Sequence, residues 1–183
     1  MKAYFLHPEI PPEGRPRTLR EGESADDVLL GDPLRGLADE AGLIMRRAAL
    51  TPYTRLAQAV TEYAKADGLQ EKFHRAAYRA FWEDGADLGD LEVLEGLARG
   101  VGVDWDDLAP RLAAGEFDRA MQDQHDEAMQ IGIQGVPGFV VDESFYFTGA
   151  QPIEMFRLAM KRALQQRETG TAQGFGGVVI GEG

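Results

Sequence analysis

The chain has 183 residues, 44% of them hydrophobic, which suits one domain or a small domain with a large insertion and excludes a disordered composition. Its net charge of −12, from 31 Asp and Glu against 19 Lys and Arg, repels nucleic-acid phosphates and anionic membrane surfaces. With no cysteine, these residues form no disulfide, thiolate nucleophile or thiolate metal site.

Residues 2–6 (Lys-Ala-Tyr-Phe-Leu) form an apolar run that predicts a short strand. Being apolar on both faces, it is expected inside a sheet rather than half-exposed. The N-terminus has neither a long apolar core nor a small-residue cleavage site, so it does not read as a signal peptide, and the cytoplasm is the expected location. No stretch approaches the ~20 apolar residues of a membrane span. His-Pro-Glu-Ile-Pro-Pro-Glu-Gly then breaks the chain into a loop to about residue 31. Its Arg15, Arg17 and Arg20 read as solvated surface, not a nucleic-acid patch.

Helices follow in series. Asp32-Pro33 opens a short helix ending at Gly42, and Thr51-Pro52 opens a second, ending at Gly68, with Leu56, Ala57, Val60 and Ala64 at helical spacing. Residues 69–83 form a third, with Phe73, Ala77 and Phe81 on one stripe. The aromatic set Phe73, Tyr78, Phe81 and Trp82 is read as core. Asp90 caps a fourth helix carrying Val93, Leu94 and Leu97 and stopped by Gly100. Asp104 starts a fifth that Pro110 kinks or shortens. Asp104, Asp106 and Asp107 are a first helical turn, not a Ca²⁺ loop. Residues 116–131 make a sixth, closed at Gly132.

The period then changes. Residues 138–141 and 145–148 are β runs, and the three residues between them make an antiparallel hairpin. Gln151-Pro152 caps a last helix with Met155, Phe156, Leu158, Ala159 and Leu164 at core spacing. After a linker from residue 168, residues 175–180 (Phe-Gly-Gly-Val-Val-Ile) are β-prone. They are expected either to fray or to pair as an extra strand, within the chain or across a homodimer. His7, His74 and His125 stand far apart without a second ligand at i+3 or i+4, so no metal site is expected, and no cofactor fingerprint appears.

Residues 132–142 (Gly-Ile-Gln-Gly-Val-Pro-Gly-Phe-Val-Val-Asp) resemble the closing half of a thioredoxin fold, Gly-Val-Pro ahead of a hairpin being the most specific sign. Phe-Thr-Gly-Ala-Gln-Pro at 147–152, Leu-His-Pro-Glu-Ile-Pro-Pro-Glu-Gly at 6–14, Tyr-Thr-Arg-Leu-Ala-Gln at 53–58 and residues 73–90 are similar to the FrnE-like branch of DsbA oxidoreductases, which is related to the 2-hydroxychromene-2-carboxylate isomerases. The resemblance runs from Lys2 to about Ala163. It implies an α/β, thioredoxin-like (DsbA-type) sheet with a large all-helical insertion. Residues 1–31 and 132–167 would form the thioredoxin-like part, 32–131 the insertion and 168–183 the tail. Family members carry a first strand and a Cys-x-x-Cys helix ahead of the position where this chain starts, so the chain is expected to be N-terminally truncated relative to them.

The resemblance also implies a cis Val136–Pro137 bond whose backbone meets an extended peptide or thiol ligand. Gly135, Gly149 and Gln151 would lie beside Val136 and Pro137 as substrate-binding residues. Gln151 also reads as a helix cap. No catalytic residue is assigned. Three functions compete: a family oxidoreductase by descent, without redox cysteines and so redox-inactive; a non-catalytic peptide- or protein-binding module; and a glutathione-dependent isomerase-like protein.

Overall fold

The computed structural model describes residues 1–19, 21–24, 28–143 and 145–170. The expected strand at 175–180 lies outside the described residues. Contacts divide the chain into two units, one of residues 1–6 with 122–183 and one of residues 7–121. Within the second unit, β1 (Arg15–Pro16) runs antiparallel to β2 (Leu50–Thr51), with Arg15 opposite Thr51.

Between them lies α1 (Leu34–Glu40). Asp32 does not cap it, because its carboxylate accepts from Arg35 Nη2 at 3.2 Å and the N-cap position falls to Pro33. Helix α2 (Arg55–Ala64) begins later than Thr51-Pro52 suggested, since Thr51 is held in the β1–β2 pair. Then come α3 (Gln70–Asp84), α4 (Leu91–Val101) and α5 (Trp105–Ala113). Asp90 and Asp104 cap α4 and α5, accepting N–H bonds from Glu92 and from Asp106 and Asp107. Helix α4 passes Gly100 and closes at the left-handed Gly102. Pro110 sits within α5, which still runs to Ala113. Val60, Phe73, Leu94 and Leu108 meet in the core of α2–α5, each at most 1% exposed. Filling that core with interlocked apolar side chains is what stabilises the helical unit. The aromatic stripe divides: Phe73 is buried, while Tyr78 is 55% exposed and lies against His74 with the two rings tilted by 37°.

Helix α6 (Asp118–Gln130) leads into the hairpin of β3 (Gly138–Val141) and β4 (Phe145–Thr148). The hairpin register is Gly138↔Thr148, Phe139↔Phe147, Val140↔Tyr146 and Val141↔Phe145. Helix α7 (Ile153–Thr169) follows and packs on β3 through Phe156, whose ring meets Phe139 and Phe147 edge-on at 4.8 and 4.9 Å. The hairpin matches the sequence reading; residues 2–6 do not. They form no strand among the described residues. Their backbone is held by side chains instead. Ala3 N–H donates to Gln124 Oε1 at 2.6 Å, and Phe5 N–H to His125 Nδ1 at 3.3 Å. Nor is the run buried on both faces: Ala3 and Phe5 are inward, Lys2 and Leu6 exposed.

Candidate functional site

The site is assembled where α6 hands over to the hairpin. Gly132 closes α6 in the left-handed region (φ 88°), and Ile133 N–H returns to Ala128 O at 2.9 Å. Ile133 is then buried at 6% exposure, and Tyr4 Oη donates to its carbonyl at 3.4 Å. These anchors fix the start of Gln134-Gly135-Val136-Pro137. The backbone approaches closely at two glycines. A Cβ on Gly132 would stand 2.7 Å from Tyr146 Oη, and one on Gly138 would stand 2.9 Å from Ile133 Cγ2. At either position a Cβ would force the facing side chain to shift, and at Gly132 the left-handed backbone adds strain for any other residue.

Val136 and Pro137 stand at the surface, Val136 at 50% exposure, and the peptide bond between them is cis. Among the described residues, neither the N–H nor the C=O of Val136 has a hydrogen-bond partner. Pro137 O, by contrast, accepts from Gly149 N–H at 2.8 Å, which extends the hairpin ladder by one pair. Antiparallel pairs alternate between bonded and non-bonded. Phe139 and Val141 therefore face β4, while Gly138 and Val140 turn their N–H and C=O to the outer edge of β3.

Gly149 adopts φ 81°, a left-handed turn that favours glycine at the exit of β4. Gln151 sits two residues on, but its role differs from the cap expected. Helix α7 has no side-chain cap, and Gln151 Nε2 donates back to Thr148 O at 2.9 Å. Pro152 occupies the N-cap position, so the amide of Gln151 stays with the turn behind it. Gly135, Val136, Pro137, Gly149 and Gln151 thus converge at the open end of one hairpin. The opposite, turn end is tied by Arg167, whose guanidinium donates to both carboxylate oxygens of Asp142, Nε lying 2.8 and 2.9 Å from them. That cation holds the Asp142 carboxyl below its ordinary range.

Sequence reasoning did not find the outer edge of β3 or the packing of Tyr146 over Gly132. The edge was hidden because strand pairing depends on neighbours that a run of four residues does not name. Gly132 was visible only as a helix stop.

Chemically, this end of the hairpin offers backbone donors and acceptors and a proline ring, with no titrating nucleophile. Among the described residues no group of three or more His, Asp or Glu is placed to hold a metal ion, and no helix is long and apolar enough to cross a membrane.

Residues 1–161 match the profile of the DSBA-like thioredoxin domain. Among solved structures, a probable DsbA oxidoreductase from Streptomyces coelicolor is 28% identical, with a TM-score of 0.69 over 80% of this chain and 72% of its own. A candidate protein disulfide isomerase from Nitrosomonas europaea has the same fold at 20% identity, with a TM-score of 0.57 over 85% of this chain and 80% of its own. None of the curated proteins matches. The expected thioredoxin-like fold with its helical insertion is therefore the observed one, and the chain belongs to the family of DSBA-like thioredoxin domains.

Proposed function

We propose that this polypeptide is a FrnE-branch member of the DsbA family that docks an extended peptide at Val136–Pro137 and does not itself exchange disulfides. The observation that carries the docking half is the exposed Val136 backbone, whose N–H and C=O have no partner among the described residues. An extended peptide laid beside it gains main-chain hydrogen bonds of the kind used in strand addition. The redox half rests on chemistry: exchange proceeds by thiolate attack on a disulfide sulfur, and these 183 residues contain no thiol. Gly135 and Gly149 leave space beside Val136 and Pro137, and Gln151 bonds back to Thr148 O at the end of β4.

The test is fluorescence anisotropy with a labelled, carboxymethylated unfolded peptide, run beside an insulin-reduction assay. The wild-type chain is expected to bind the peptide, and Val136→Pro, which removes the N–H donor, to lose affinity by about tenfold, the worth of one or two hydrogen bonds. Insulin reduction is expected to stay at the rate of dithiothreitol alone. Equal affinity of wild type and Val136→Pro would end the docking reading. Accelerated insulin reduction by the purified chain would end the redox-inactive one.

A further inference from the structure

The hairpin and α7 leave one strand edge and one helix stripe uncovered. Gly138 and Val140 direct their N–H and C=O groups away from β4, and none of these has a partner among the described residues. Val140 is 45% exposed, and residues 138–141 carry neither a charge nor a proline that would oppose a neighbouring strand. On α7, Ile153, Met160 and Leu164 are 56, 60 and 61% exposed.

The edge and the stripe lie on the same side. Helix α7 starts just past the end of β4 and brings Arg167 to Asp142 at the hairpin turn, so it runs in the direction of β3. Its inward face carries Phe156, on the hairpin, with the buried Ala159 and Ala163. At about 100° per residue, Ile153, Met160 and Leu164 fall roughly a quarter-turn clockwise from that face, viewed from the start of the helix. With the hairpin below, the stripe points left. Phe139 turns its ring up to α7 and its N–H and C=O to β4. For an L-residue in a strand running away from the viewer, that puts β4 on the right and the open edge on the left, beside the stripe.

A second copy fits this edge by symmetry. In an antiparallel pairing centred on Phe139, Gly138 faces the partner's Val140 and Val140 the partner's Gly138, so each outward N–H meets an outward C=O. A two-fold interface needs such a self-complementary patch. The helices fit as well. The Phe156 ring is 4.8 Å from that of Phe139 and 4.9 Å from that of Phe147, which sets α7 over the gap between β3 and β4. The partner's α7 would then lie two strand spacings away, about 10 Å, close to the ~8–10 Å at which helices pack. The two apolar stripes face each other across the axis.

We propose that two copies of this chain associate through the open edges of β3, about a two-fold axis through Phe139, into a four-stranded antiparallel sheet on which the α7 helices pack side by side. The assignment does not rest on peptide docking, since Val136 precedes the ladder.

The experiment is sedimentation velocity over a range of concentrations, with amide hydrogen exchange by NMR, on the full chain, on Met160→Glu and on Val140→Pro. Met160 is exposed, so the charge spares the folded monomer, and proline at 140 removes an outward N–H without taking a bond from β4. The wild-type chain is expected to dimerise as concentration rises, with the Gly138 and Val140 amides slowing in step. Each variant is expected to raise the dimer Kd by at least about tenfold. The Phe139 amide, bonded to β4, serves as the control for an intact hairpin. A wild-type chain that stays monomeric at millimolar concentration would overturn the proposal. So would a dimer that both variants leave unchanged, or one in which the Gly138 and Val140 amides still exchange as in the monomer.

Discussion

Gly132→Ala is the sharpest probe of how the site is positioned. The new methyl group would meet two penalties. Gly132 sits at φ 88°, and the left-handed region costs a non-glycine residue about 1–2 kcal/mol. Its Cβ would also stand 2.7 Å from Tyr146 Oη and 3.2 Å from Cζ, and overpacking of that kind typically costs about 1–3 kcal/mol. The chain entropy lost from the unfolded state offsets a little of this, leaving a destabilisation of about 2–4 kcal/mol. For a protein of this length each kcal/mol lowers Tm by about 2–4 °C. The two contributions can be separated. Tyr146→Phe removes the atom at 2.7 Å and leaves the backbone penalty, so the double variant should recover about 1–2 kcal/mol of the cost, read as coupling in a double-mutant cycle. Urea unfolding should be followed through the Phe139 and Phe147 amide signals, because both tryptophans, Trp82 and Trp105, lie in the other unit. Strictly additive costs in the cycle would refute the packing of Tyr146 on Gly132, and with it the account of how residues 133–137 are aimed.

Three further outcomes follow from local geometry. Glu143 sits in the hairpin turn at φ 54°, so Glu143→Gly should stabilise by up to about 1 kcal/mol in thermal unfolding, and a fall in Tm would contradict the strain argument. Asp90→Ala removes a working cap and should cost about 1 kcal/mol, whereas Asp32→Ala, at a position that caps nothing, should stay within about 0.5 kcal/mol; equal costs in urea titrations would deny the distinction. Partial burial holds the His74 pKa below its ordinary value, so the unfolded chain takes up the proton more readily than the folded one. Stability should therefore decline as pH falls through about 6.5, the unfolded value, and His74→Gln should flatten the change in urea midpoint between pH 7.5 and 5.5; an unchanged slope would remove His74 from the account.

The helical half of the fold was legible because its signals are local. Asp90 and Asp104 announce their helices by the oxygen they lend to the first turn, and the spacing of Val60, Phe73 and Leu94 marks the faces that meet. The hairpin was equally plain, since the turn residues 142–144 separate two short runs. What the sequence did not disclose depends on distant partners. Asp32 resembles Asp90 in isolation, and only the arrival of Arg35 takes its carboxylate away from the helix start. Thr51 looked like an N-cap until Arg15 claimed it for a strand pair. Residues 2–6 have the composition of a strand, yet strand formation needs a neighbour with free backbone groups, and here α6 answered first with side chains. Gly135, Val136 and Pro137 were named from the Gly-Val-Pro signature and Gly149 and Gln151 from their place ahead of the last helix, and Gln151 makes a hydrogen bond to Thr148 where a helix cap was expected.

The suspension of residues 2–6 from Gln124 and His125 inverts where that segment is vulnerable. In a ladder, each strand carries its own adhesive in the main chain, and side-chain identity matters little to the bonding. Here the adhesive belongs to two side chains on α6, over a hundred positions away in the chain. An exchange at Leu6 leaves these two bonds untouched and one at Lys2 removes only its ion pair with Glu127 on α6, whereas a single exchange at Gln124 or His125 releases a main-chain amide of the N-terminal run.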